Sequence, residues 1–135
     1  MSRMMGAESK VLKYDGSTAV IPVASGATIY TRAFDMGMAT FFGIFVKATS
    51  TTGTPDIKVE LQEGPILPVT EGSVDDYWTE PDGFSDIFDQ INDELAHIKT
   101  ISPVPAKYGR YKITGINANP ADTTVEIYNF MQEQA

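Results

Sequence analysis

Nine carboxylates, Glu71, Asp75, Asp76, Glu80, Asp82, Asp86, Asp89, Asp93 and Glu94, fall within 24 residues that contain no lysine or arginine. Half of the 18 acidic side chains are thus crowded into one segment without a local counter-charge. Three uses fit such a series. Calcium would need several oxygens converging at about 2.3–2.6 Å, and the spacing here does not follow the alternate acids, glycine and closing glutamate of an EF-hand loop. A docking surface would set Asp75, Asp76 and Glu80 against basic groups of another protein. A solvated loop and helix face would use the same charges for solubility alone.

Carboxylate pairs also serve glycoside hydrolysis as acid and nucleophile, and Asp76, Glu80 and Asp82 lie near Tyr77 and Trp78, whose rings are candidate sugar contacts. That reaction needs two carboxyls with proton affinities pushed apart, whereas acids adjacent in one loop share an environment. A non-catalytic sugar contact stays open; an enzyme is not expected. The single histidine, His97, sits between Ala96 and Ile98 and has no evident co-ligand, so it is expected to be structural. The absence of cysteine removes disulfides, thiolate nucleophiles and cysteine metal sites. Asp15-Gly16-Ser17 and Gly26 form no phosphate-binding pattern, and Ser25 has neither a neighbouring base nor a nucleophile elbow. No catalytic residue, metal site or cofactor is expected.

Lys107, Arg110 and Lys112 form a small basic cluster, which reads either as a solvated strand face or as the counterpart of the acidic segment, within one subunit or between two. The net charge of −8 argues against nucleic acid, whose backbone is held mainly by clustered Lys and Arg, and equally against anionic membranes. The longest apolar run, Ala39 to Val46, is broken at Thr40 and Gly43 and falls short of the about 18–20 residues that cross a bilayer. Met1 to Lys10 lacks the apolar core of a signal peptide.

The elements that would carry these residues read mainly as strands. A chain of 135 residues suits one core, with residues 1–9 as an N-terminal arm and 10–135 as a single domain. Short strands are predicted over Lys10–Tyr14, Thr18–Val23 and Ala27–Phe34, the last with Ile29 and Thr31 on one face and Thr28, Tyr30 and Arg32 on the other. Ala39–Ala48 is apolar on both faces and is predicted to be a covered central strand, with Ile44 and Val46 in the core beside Phe42 or the alternates Phe41 and Phe45. Ile57, Val59 and Leu61 alternate with Lys58, Glu60 and Gln62 in a half-buried strand.

Phe84, Phe88, Ile91, Leu95 and Ile98 recur at helical spacing, with Ser85 available as N-cap, so one or two helical turns are predicted near Ser85–Asn92 before a strand from about Leu95. Tyr108–Thr114 and Thr123–Phe130 are predicted to form a hairpin around the Asn-, Gly- and Pro-containing loop 115–122. Seven or eight short strands separated by turns predict an all-β fold, an antiparallel, jelly-roll-like β-sandwich with one short helical segment.

The segments Lys107-Tyr108-Gly109-Arg110-Tyr111-Lys112-Ile113-Thr114-Gly115 and Asn117-Ala118-Asn119-Pro120-Ala121-Asp122-Thr123 resemble the final hairpin of small β-sandwich structural proteins of tailed bacteriophages. Gly53-Thr54-Pro55-Asp56-Ile57-Lys58-Val59-Glu60-Leu61-Gln62-Glu63 resembles an earlier strand of the same proteins. Together the matches span about a quarter of the chain and mark a fold and a setting, not a chemistry. The resemblance implies a capsid decoration or cement subunit, made in the host cytoplasm and carried on the virion surface. Its partners would be the major capsid protein and copies of itself. Similar hairpins occur in galactose-binding-like sandwiches, which implies a carbohydrate-binding module as the alternative. In the arm, Met1, Met4 and Met5 could supply adaptable apolar contacts to a neighbouring subunit, or fold back on their own domain.

Overall fold

The computed structural model describes residues 2–4, 9–11, 20–35, 41–64, 78, 86–101 and 107–134. These form eleven strands and no helix: β1 (Ser2–Met4), β2 (Ser9–Lys10), β3 (Ile21–Pro22), β4 (Thr28–Tyr30), β5 (Phe34–Asp35), β6 (Phe41–Thr49), β7 (Ile57–Gly64), β8 (Asp86–Ile91), β9 (His97–Ile101), β10 (Tyr108–Gly115) and β11 (Thr124–Gln134). They build two antiparallel sheets. One runs β1-β11-β6-β9, with β2 and β3 also paired to β11; the other runs β4-β10-β7-β8, with β5 also paired to β10.

Strict alternation decides which side of each strand is buried. Ile57, Val59 and Leu61 of β7, Tyr111 and Ile113 of β10, Ile44, Val46 and Ala48 of β6, and Val125 and Ile127 of β11 all lie in one core between the sheets. The chain is therefore a β-sandwich whose inner faces interdigitate. One polar contact crosses this core: the Tyr111 hydroxyl donates to Asn129 Oδ1 at 2.6 Å, joining β10 to β11.

Those two strands do not form the predicted hairpin. β10 pairs with β7, β4 and β5, while β11 pairs with β6 in the opposite sheet. The loop chemistry of residues 116–123 was legible, but the loop crosses from one sheet to the other instead of reversing within one. Asn119, buried in that loop, fixes the crossing. Its amide donates to the Val23 carbonyl at 3.0 Å, and its Oδ1 accepts from the Asp56 backbone N–H and the Thr123 hydroxyl. Asn117 takes a left-handed φ of 48°, a conformation asparagine tolerates better than most residues.

The predicted helical turns over residues 86–92 are also absent, and Ser85 lies outside the described residues. Residues 86–91 are β8, a strand with two register shifts against β7: Ile57 faces Ile91, Val59 faces Phe88, and Glu60 faces Asp86. Two extra residues on β8 turn the chain between contacts, so Ile87 and Ile91 are buried while Asp89 between them is exposed. A bulged strand thereby presents apolar residues at spacings that imitate a helix. At the other end of the chain, β1 and β2 pair with β11 of their own domain, Met4 standing opposite Gln132 and Lys10 opposite Tyr128, so this part of the arm folds back. Met1 and Met5 lie outside the described residues.

Candidate binding face

The outer faces of the two sheets differ in chemistry. On the five-stranded sheet, Lys112 stands opposite Glu60 and Tyr30, and Thr114 opposite Lys58 and Thr28. This is a polar surface of cross-strand charge and hydroxyl pairs. Its aromatic part is closed: the Arg110 guanidinium lies 4.3 Å from the Tyr30 ring centroid and 4.8 Å from that of Trp78, and Arg110 Nε donates to Gln62 Oε1 at 2.9 Å. Arg110 is 1 % exposed and Trp78 7 %.

These positions correct two readings of the sequence. Arg110 is not part of a solvated basic face, because stacking between two rings takes it out of water. Trp78 does not offer an open ring for a sugar, because its face carries Arg110. Of the basic cluster, Lys107 is exposed with Nζ 5.2 Å from the Tyr108 centroid, and Lys112 is half-buried. Asp75, Asp76, Tyr77 and Glu80 lie outside the described residues.

Four of the described carboxylates serve local structure. Asp122 accepts from the hydroxyls of Ser50, Thr51 and Thr52 and from the Thr51 N–H, which together hold its carboxyl well below the usual range and tie loop 50–52 to the crossing loop. Asp93 is lowered by the 2.8 Å contact from His97 Nε2 and accepts from the Leu95 N–H, bracing the passage from β8 to β9. Asp56 accepts from Gln90 and Asn117, and Glu94 from the Ser50 N–H. Among the described residues no three His, Cys, Asp or Glu side chains are grouped to hold a metal ion.

Glu63 stands apart. It lies on the inward-facing side of β7, 4 % exposed, opposite Gly109, and its Oε1 has no hydrogen-bond partner. Burial pushes its carboxyl up to about 7. That range suits a general acid, and among the described residues no nucleophile or second carboxylate stands beside it.

The outer face of the six-stranded sheet carries the apolar surface. Ile98 of β9, Phe45 of β6 and Tyr128 of β11 stand directly opposite one another in a row. Phe45 and Tyr128 meet edge to face at 5.6 Å. In the next row Phe130 lies opposite Gly43, and a Cβ added to Gly43 would sit 3.8 Å from the Phe130 Cδ2, so the ring leans over the bare backbone. Phe45, Tyr128 and Phe130 are half-buried; Ile98 is 70 % exposed, and Leu95, just before β9, is 67 % exposed. The sequence reading had β6 covered on both faces; the structure covers one and leaves the other partly open. The signal was present in Thr123–Phe130, where the positions alternating with Val125 and Ile127 hold Tyr128 and Phe130 instead of purely polar residues.

No family model and no curated protein matches the sequence. Solved structures with a similar chain path include a family 35 carbohydrate-binding module from an environmental isolate, at 13 % identity and TM-score 0.41, over 99 % of this chain and 93 % of that one. A family 36 carbohydrate-binding module in complex with calcium and xylotriose gives 11 % identity and TM-score 0.35, over 97 % and 92 % of the two chains. The catalytic domain of a family 87 α-1,3-glucanase gives 12 % and 0.34, over 99 % of this chain but 26 % of the other.

Proposed function

We propose that this chain is a non-enzymatic binding domain that docks on another protein through the outer face of its six-stranded sheet. One observation carries the reading: an aliphatic and aromatic row, Ile98–Phe45–Tyr128, remains partly open to water beside a third aromatic, Phe130. Single exposed apolar residues need no explanation, whereas contiguous ones mark an interaction site, and a flat sheet face suits another protein surface. Aliphatic side chains favour protein over sugar, because a sugar-binding site relies on an aromatic in a groove beside convergent polar groups. The setting implied by the phage resemblance, a coat on the capsid lattice, is one assembly such a face would serve.

Ile98→Asp tests the docking reading, since an exposed site tolerates substitution within about 0.5 kcal/mol. The variant should keep its Tm and lose incorporation into purified particles, where the parent chain should appear in stoichiometric copies. Unchanged incorporation of the variant overturns the use of this face, and absence of the parent from particles overturns the capsid setting. A second reading, a carbohydrate-binding module, is favoured by the adjacent Phe45 and Tyr128 rings. Affinity electrophoresis through gels containing soluble xylan or glucan, with retardation of the parent but not of Phe45→Ser, would put it first.

A further inference from the structure

We infer that the partner on this face is a second copy of the same chain, docked face to face about a two-fold axis that runs between β6 and β11 and parallel to them. The inference rests on the docking reading above and gives it an occupant.

The argument begins with charge. Two chains of net charge −8 repel, and at physiological salt, where fields fade over about 8 Å, the charges nearest the contact decide the outcome. The described side chains of the outer face of the six-stranded sheet include one cation and one anion, Lys47 and Glu126, which stand opposite each other one row from Phe45 and Tyr128. With Lys10 of β2 also opposite Tyr128, these positions carry no excess of acid on a strongly acidic chain.

A two-fold contact requires a patch that complements itself. Rotation about the proposed axis exchanges β6 with β11, so each residue of these two strands meets its own partner's type on the other copy, while Ile98 of β9 meets the Lys10 position of β2. Lys47 then meets Glu126 of the second copy, and Phe45 meets its Tyr128. Phe130 meets the Gly43 position, over which the second copy's own Phe130 ring leans, so ring lies against ring. The first two pairs are complementary, cation with anion and ring with ring. A foreign partner of either charge would gain from only one member of the Lys47–Glu126 pair. Sheets packed face to face keep their strands within about 30° of one another, which an axis parallel to the strands allows.

Charge exchange on the full chain separates this contact from effects within one copy. Sedimentation velocity over a concentration series should show a dimer for the parent. Lys47→Glu and Glu126→Lys each place like charges face to face, and each should weaken self-association by about tenfold or more. Mixing these two variants should restore a dimer, because one brings two acids and the other two lysines. The like-charge pair inside each copy is untouched by mixing, so a fault of folding would not be repaired. Far-ultraviolet circular dichroism checks that both variants are folded. A monomeric parent, undiminished association of either variant, or a mixture that stays monomeric overturns the inference. If the parent is monomeric yet Ile98→Asp still abolishes particle incorporation, only the identity of the partner has failed and the docking reading stands.

Discussion

Glu63→Gln is the substitution whose effect follows most directly from the structure. The carboxyl is 4 % exposed, faces Gly109, and has one oxygen without a hydrogen-bond partner. Burial raises it from its ordinary 4.5 to about 7. Folding therefore takes up a proton between those two values, and the domain must lose stability as pH rises through that window. The contribution is fully present below pH 4.5 and gone above about 7. At about 1.4 kcal/mol per tenfold change in proton affinity, the difference is about 3 kcal/mol. Asp93 and Asp122 are shifted the opposite way, so their effects fall at lower pH, outside this window. The amide of Glu63→Gln cannot ionise, and it leaves buried N–H groups that cost about 1–3 kcal/mol if unpaired. The decisive quantity is thus the slope, not the absolute stability. Urea unfolding at pH 5 and pH 8 should show the parent losing about 3 kcal/mol and the variant almost none. Equal slopes for both proteins would refute the claim that Glu63 is buried in its neutral form.

Three further substitutions probe the core and the crossing between sheets. Ile44→Ala removes a fully buried side chain from β6 and should cost about 2–5 kcal/mol in chemical denaturation; a loss under about 1 kcal/mol would place the core elsewhere. Tyr111→Phe deletes the donor to Asn129 Oδ1 inside the core and should cost about 1–3 kcal/mol. The same cost from Tyr111→Phe in an Asn129→Ala background would show that the hydroxyl has another role. Gly115→Ala would bring a Cβ to 2.5 Å from the Ala24 carbonyl oxygen and 2.8 Å from Asn119 Nδ2. It should lower stability by about 1–3 kcal/mol and shift the amide resonances of Asn119, and a neutral result would mean that the crossing loop is not held as described.

Much of this architecture was legible because alternation with period two is dictated by backbone geometry. Ile57, Val59 and Leu61 announced β7, and Ile29 with Thr31 announced the inward side of the segment at β4. What was not legible depended on partners distant in the chain. Nothing in residues 115–122 says whether the next strand returns to the same sheet, since that choice is made by Asn119 reaching Val23 and Asp56. The bulges of β8 converted a strand pattern into an apparent helical stripe at Phe88 and Ile91. Arg110 looked exposed because arginine is almost never fully buried without partners. Its partners, Tyr30, Gln62 and Trp78, lie far from it in sequence. The binding face was half legible: the apolar character of β6 was plain, but not that one of its sides would stay open.

That openness has an energetic meaning. Fully burying an isoleucine is worth about 1.5–3 kcal/mol, and Ile98, still 70 % exposed, retains most of that gain for a later contact. Among the described residues the other outer face retains no comparable gain, since Trp78 already covers Arg110 and neighbouring rows set Lys112 opposite Glu60 and Thr114 opposite Lys58. Surface charge contacts to a partner are worth about 0–1 kcal/mol each and fade with salt, so such a face would hold a partner weakly. An association driven from the aromatic face should therefore persist as ionic strength rises, with only its Lys47–Glu126 component weakening. Contact through the polar face or the acidic segment would instead dissolve. Self-association measured from low to high salt distinguishes the two, and complete loss at high salt would move the interface away from Phe45, Tyr128 and Ile98.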